Sequence, residues 1–194
     1  MMKIQNLSFG YKKNAPVLKD LHLELQKGEL LAVMGPSGCG KSTLLQLIAG
    51  FFSPTDGSIQ TEANKISYAF QEPRLFPWMT VEENLKAVAP KNEDASKIHD
   101  VLNFVELSNT SNLYPDQLSG GMQSRVSLAR ALLYGGDLFL LDEPFSALDE
   151  ELSKNLAQKL RFALKETGAS AILVTHQTEV AELFADRIIH LYPR

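Results

Sequence analysis

The stretch Gly35-Pro36-Ser37-Gly38-Cys39-Gly40-Lys41-Ser42-Thr43 constrains the fold of this 194-residue chain more than any other. It fits the spacing G-x-x-x-x-G-K-[ST], which has a physical mechanism when a strand precedes it and a helix follows. Leu30 to Met34 is a short apolar run that reads as a buried strand. Ser42 to Ala49 reads as a helix, with Gly50 as its stop. A strand, a glycine loop and a helix gather backbone N–H groups at a helix N-terminus, where they and the helix dipole attract phosphate. Glycines let the backbone approach closely, because a Cβ would stand in the way. Lys41 adds a charge that reaches outer phosphates, and Ser42 adds a hydroxyl for Mg²⁺.

The rest of the chain supplies a scaffold for such a loop. Lys3–Phe9 and Val17–Leu25 alternate apolar and polar residues. They predict half-buried strands joined by a turn containing Lys13-Asn14-Ala15-Pro16. Pro54-Thr55-Asp56-Gly57 predicts a turn, and Ile66 to Phe70 a strand. The pattern turns helical from Val81 to Leu133, with one helix from about Gly121 to Leu133. Strands then alternate with helices: Leu138–Leu141, a charged helix Glu150–Lys165, Ala171–Val174, a helix Thr178–Ala185 and a last strand Arg187–Leu191. That alternation indicates an α/β fold on a parallel sheet.

With 44% hydrophobic residues, the chain is large enough for one domain with a substantial core. A net charge of −4 gives no electrostatic case for nucleic acid as a partner. The single cysteine, Cys39, rules out a disulfide within the chain and fits a reducing compartment. No apolar run reaches transmembrane length and the N-terminus has no signal-peptide pattern. The expectation is a cytoplasmic chain whose membrane role, if it has one, comes through another subunit.

Two further segments carry chemistry. Leu138-Phe139-Leu140-Leu141-Asp142-Glu143 is a hydrophobic strand ending in two acids, at the strand end where open α/β sheets bind ligands. Asp142 can hold Mg²⁺ through water, and Glu143 can orient or deprotonate an attacking water. Leu118-Ser119-Gly120-Gly121-Met122-Gln123 precedes a helix, with Ser119 as N-cap and two glycines that expose N–H groups. It is a second anion-binding helix start in one chain.

Gly35 to Thr43, Gln71, Leu118 to Gln123, Leu138 to Glu143, Ser146-Ala147-Leu148-Asp149 and His176 stand in the order of an ABC transporter ATPase, and the chain resembles that family over nearly its whole length. The resemblance implies a RecA-like P-loop NTPase core, an antiparallel β subdomain and an inserted helical subdomain at about 80–133, in one domain over 1–194. It implies ATP and Mg²⁺ as ligands and a head-to-tail homodimer or paired ATPase. Tyr11 would stack on adenine. Gly35, Pro36, Ser37, Gly38, Cys39, Gly40, Lys41, Ser42 and Thr43 would hold the phosphates. Ser42, Gln71 and Asp142 would face Mg²⁺, and Gln71 also the attacking water. Ser119, Gly120, Gly121, Met122 and Gln123 would face the partner's ATP, and Asp149 would couple the two sites. Glu143 would act on water, with His176 on the γ-phosphate and holding Glu143. The resemblance departs at Met122, where glutamine is usual, and at Gln123-Ser124-Arg125, where Ser124 removes a side-chain amide.

Phe70 to Asn84, with Pro73, Phe76, Pro77 and Trp78, resembles the nitrate/sulfonate/taurine group of importers. This implies a separate membrane permease docking at Phe76 and Trp78, a solute-binding protein, and a location on the inner face of the cell membrane. A separate-chain exporter ATPase or a non-transport ABC ATPase is the alternative. The stop at Arg194 is read as leaving no room for a regulatory C-terminal domain. Cys39, at a helix start beside Lys41, is expected to be reactive and shielded by ATP.

Overall fold

The computed structural model describes residues 1–12, 15–90 and 95–193. The chain opens with β1 (Met2–Phe9), β2 (Leu18–Leu25) and β3 (Leu30–Met34), then α1 (Lys41–Ile48), β4 (Asp56–Thr61) and β5 (Ile66–Ala69). Among the described residues three α-helices follow, α2 (Val81–Lys86), α3 (Ala95–Phe104) and α4 (Gly120–Tyr134), with a short 3-10 helix at Pro115–Gln117 before the last. The chain then alternates through β6 (Leu138–Asp142), α5 (Glu150–Thr167), β7 (Ser170–Val174), α6 (Thr178–Phe184) and β8 (Arg187–His190).

Two sheets organise these elements. A three-stranded antiparallel sheet has the order β2-β1-β4, and a five-stranded parallel sheet has the order β5-β6-β7-β3-β8. All five residues of β3, β6 and β7 are buried. This is why those segments read as unbroken apolar runs: helices or a second sheet cover both faces. Period-2 alternation then sorts the side chains. Leu31, Val33, Leu138, Leu140, Ile172 and Val174 join the core that includes α1 and the antiparallel sheet. Leu30, Phe139, Leu141, Ala171 and Leu173 join the core shared with α4 and α5.

Local chemistry sets the helix ends. Thr80 and Glu83 form a reciprocal capping box at the start of α2, and α5 ends on Gly168 in the left-handed region. One expectation is corrected: Asp56 and Gly57 do not form a turn but open β4, which runs on to Thr61 beside β1. The turn residues mislead because Gly57 serves a close approach. A Cβ there would sit 2.3 Å from the Asn6 carbonyl oxygen. In the turn expected between β1 and β2, Lys13 and Asn14 lie outside the described residues. Its flanks, Lys12 and Ala15, form an antiparallel bridge.

Candidate nucleotide site

The glycine loop joins β3 to α1. Gly40, the N-cap of α1, has φ 99° and offers no capping side chain, so the first N–H groups of the helix are left for another acceptor. Gly35 must be glycine for a second reason: with φ 149°, a Cβ would stand 2.2 Å from the Leu191 carbonyl oxygen. Lys41 folds over the loop and donates from Nζ to the carbonyls of Gly35 at 2.8 Å and Pro36 at 3.0 Å. The ammonium is therefore already placed at the concave side of the loop. Pro36, Ser37 and Gly38 are exposed.

Cys39 behaves differently from expectation. It is only 2% exposed, in the core with Leu18, Leu44 and Leu191. Reaction with an alkylating reagent needs a sulfur that reagents and solvent can reach. The Cys39 side chain instead packs inward, where it acts as a small apolar group.

Beside the loop, β6 delivers Asp142 on the same face as Leu138 and Leu140, the face of α1. Ser42 Oγ donates to Asp142 Oδ1 at 2.9 Å, and the Tyr68 hydroxyl, from β5, donates to Oδ2 at 3.3 Å. Burial pushes the Asp142 carboxyl above its ordinary range, and Glu143 adds to this. The bonds from Ser42 and Tyr68 and the charge of Lys41 oppose it. Burial and the neighbouring Asp142 also push the Tyr68 phenol far up, so it remains a neutral donor.

A buried carboxylate with a hydroxyl beside it is a hard oxygen pair, and a divalent cation there would relieve the desolvated charge. Among the described residues, no three His, Cys, Asp or Glu side chains gather into a metal cage. The carboxylate of Asp142 and the hydroxyl of Ser42 fit Mg²⁺, which keeps several waters and is usually held by one or two protein oxygens plus substrate phosphates.

One residue on, Glu143 takes a left-handed backbone, φ 47°. Its N–H donates to the Val174 carbonyl at 3.0 Å and its carbonyl accepts from Ser146. This turn swings the side chain to the sheet edge, where Oε2 lies 3.0 Å from Nδ1 of His176. His176 follows β7, the neighbour of β6, so the parallel sheet itself brings the two together. A glutamate at the edge of a phosphate site, held by an exposed imidazole, has the placement of a group that acts on water.

Tyr11 is exposed and sits edge-on to Phe9 and Phe52, with its hydroxyl 3.1 Å from Thr43 Oγ1. Gln71 lies beyond the end of β5 in a cleft shared with Gly120, Gln123, Ser124 and Ala147. Ser119 caps α4, its Oγ accepting from the Met122 N–H at 3.3 Å. Gly120 is open, with nothing within 4 Å of a built Cβ. The Met122 and Gln123 side chains turn into their own chain: Met122 packs on the larger core and Gln123 donates to the carbonyls of Pro115 and Leu118. Ser124 bonds back to the Gly120 carbonyl at 3.1 Å. Asp149 caps α5 through the Leu152 N–H at 2.9 Å.

Sequence reasoning missed Tyr68. The alternation Ile66-Ser67-Tyr68-Ala69 puts it on the α1 face, but only the pairing of Tyr68 with Leu140, two residues before Asp142, brings it to the carboxylate.

A phosphate loop after β3, with catalytic-type acids at the end of β6 in the same parallel sheet, belongs to the P-loop nucleotide hydrolases. More narrowly, the ABC transporter family profile matches residues 18–146, and the chain belongs to that family. It is 43% identical to the taurine import ATP-binding protein TauB of Pelagibacter ubique, over 98% of this chain and 78% of that protein. It is also 43% identical to the aliphatic sulfonates import ATP-binding protein SsuB of Bacillus licheniformis, over 96% of this chain and 77% of that one. The dimeric structure of MJ0796, a bacterial ABC transporter cassette, superposes with a TM-score of 0.89 at 32% identity, covering 99% of this chain and 94% of its own. A second MJ0796 structure, with a TM-score of 0.88, is a post-hydrolysis state bound to ADP and Pi.

Proposed function

We propose that this chain is the ATPase subunit of an ABC importer. Two copies close head to tail over two ATP molecules, and hydrolysis drives solute uptake through a separate permease. The observation that carries the reading is the division of the site. The phosphate loop, Ser42, Asp142, Glu143 and His176 converge at one edge of the parallel sheet. The start of α4 presents a second set of open N–H groups at Ser119 and Gly120. A two-fold dimer gives each nucleotide one set from each chain.

In this arrangement Lys41 exchanges its loop carbonyls for the outer phosphates. Ser42 and Asp142 would hold Mg²⁺, which supplies charge neutralisation on the phosphates. Glu143 takes a proton from, or orients, the attacking water, with His176 fixing its carboxylate. Tyr11 offers a ring for adenine, Gln71 reaches towards the metal side, and Asp149 lies at the junction of the two sites. ATP and the dimer are supported by the ADP- and Pi-bound and dimeric MJ0796 structures.

Docking to a permease is supported by the segment after β5. Trp78 is 70% exposed, with Phe76 beside it at 5.7 Å between ring centres. The loop is not loose. Buried Asn84 accepts from Phe76 N–H and donates to the carbonyls of Phe76, Met79 and Thr80, while Arg130 donates to the Pro73 carbonyl. A fixed, exposed tryptophan is a good interface anchor. Among the described residues no helix is long and apolar enough to cross a membrane, so the chain acts at the inner membrane face through that permease, which also meets a solute-binding protein. Relatives named for taurine, sulfonates, Fe(3+) and bicarbonate lie at similar identity, which supports a reading in which the other subunits choose the solute.

Glu143→Gln tests the mechanism. It should lower hydrolysis by at least ~10²-fold and elute as a dimer with Mg-ATP and as a monomer without. Ser119→Arg in that background should break the dimer while nucleotide still binds. A Glu143→Gln protein that turns over ATP at the wild-type rate would refute the assignment.

A further inference from the structure

The two oxygens of Asp142 have different partners. Ser42 holds Oδ1 and must reorient its hydroxyl to offer a lone pair to a cation. The Tyr68 hydroxyl holds Oδ2 and has no such second task. The Tyr68 ring is clamped. It stacks on Phe70 at 4.2 Å and lies 5.7 Å from Phe51, and Arg74 covers the Phe70 ring at 4.3 Å. Phe51 comes from the segment after α1, and Phe70 and Arg74 from the segment after β5. With the ring fixed on both side-chain torsions, only the hydroxyl rotor stays free, and Asp142 is its bonded partner. Packing explains the ring but not the oxygen. Phenylalanine would stack on Phe70 equally well, without the cost of drawing a polar group into a half-buried site. At 3.3 Å the bond is long for O–H···O, so its effect lies in orientation more than in bond strength.

We infer that Tyr68 is a positioning residue: its hydroxyl fixes the Asp142 carboxylate with Oδ1 towards Ser42, and so sets how tightly the Ser42–Asp142 pair takes Mg²⁺ together with ATP. The inference rests on the reading of Asp142 as the metal-side carboxylate. Losing an outer-shell partner of this kind typically weakens metal affinity about 10–100-fold. The long bond places the expected effect at the lower end, about 10-fold.

The test is Tyr68→Phe, which keeps the ring and deletes one oxygen. Binding of a fluorescent, non-hydrolysable ATP analogue is followed across a Mg²⁺ titration and again in EDTA. The Mg²⁺ concentration for half-maximal binding should rise about 10-fold, binding in EDTA should match wild type, and excess Mg²⁺ should recover the lost affinity. Asp142→Asn is run alongside. If it raises the Mg²⁺ requirement and Tyr68→Phe does not, the positioning role is wrong. If Tyr68→Phe weakens binding equally in EDTA, the hydroxyl is only structural and the inference is overturned. If neither variant moves the Mg²⁺ requirement, the metal-side reading of Asp142 fails, and the role of Tyr68 fails with it.

Discussion

Gly120 and Gly121, the first two residues of α4, should respond oppositely to one added methyl group. A Cβ built on Gly120 meets nothing within 4 Å. Alanine there removes the entropy penalty of glycine in a helix, a gain of up to about 1 kcal/mol, or about 2–4 °C for a chain of this size. Gly121→Ala makes the same gain, but its Cβ lands 2.8 Å from the Ala147 carbonyl oxygen and 3.0 Å from Leu148 Cδ2. The leucine tip can move. The carbonyl belongs to the backbone between β6 and α5, and forcing it away costs about 1–3 kcal/mol. Comparing the two variants cancels the helix term. Gly121→Ala should therefore unfold about 2–12 °C below Gly120→Ala. Activity should not follow stability. A Cβ on Gly120 meets nothing within 4 Å among the described residues, so a methyl there should harm only contact with something outside the chain. Gly120→Ala should bind ATP normally yet lose hydrolysis by about tenfold or more, the loss of one transition-state contact worth about 1.4 kcal/mol. Thermal unfolding and ATPase rates on both variants decide the matter. Equal melting temperatures would refute the packing argument, and full turnover in Gly120→Ala would refute the claim that α4 faces a partner's nucleotide.

Four other outcomes follow from the same geometry. His176→Ala should cut hydrolysis on the order of 10²-fold with nucleotide affinity kept, and unchanged turnover would remove His176 from the site. Trp78→Ala should leave the unfolding free energy within about 0.5 kcal/mol of wild type, and pull-down of the permease should fail; intact capture would argue against the docking surface. Cys39 should resist alkylation in the native protein with or without Mg-ATP and react on unfolding, so rapid native labelling would contradict its burial. Burial works against the charge of Asp186, yet bonds from Lys165, the Leu30 N–H and Arg161 hold its carboxyl below the ordinary range. Its contribution is present above the ordinary carboxylate value and is lost as pH falls through the depressed one. Asp186→Asn should thus cost about 1–2 kcal/mol near neutral pH, with the gap closing in acid; a gap that persists there would point to packing instead.

The sequence was most informative where one element carries a whole function. The phosphate loop brings its own strand, helix and glycines, so local spacing was enough to place Lys41 and Ser42. Asp142 and Glu143 were legible because β6 is a continuous apolar run that ends abruptly in charge. Contacts between distant strands were not. Tyr68 meets Asp142 only through the β5–β6 register, and no periodicity within Ile66–Ala69 contains that register. Cys39 was misread because a place at a helix start says nothing of burial, and its side chain is buried in the core that also holds Leu18 and Leu191. At β4, Gly57 carried a turn signal although its role is a close approach to β1.

Glu143 occupies a backbone region that costs an ordinary residue about 1–2 kcal/mol and glycine almost nothing. At this position selection for a sturdier fold and selection for a working site pull in opposite directions. A drift to glycine would relax the turn, leave the bonds of its N–H and carbonyl to Val174 and Ser146 in place, and remove the carboxylate that pairs with His176. Such a chain would accumulate as well as the parent, or better, and would still present the same surfaces to its neighbours. Quality control acts on misfolding, so it would not remove this variant. A silent subunit of this kind would compete with working copies, and its presence would show only as lost uptake.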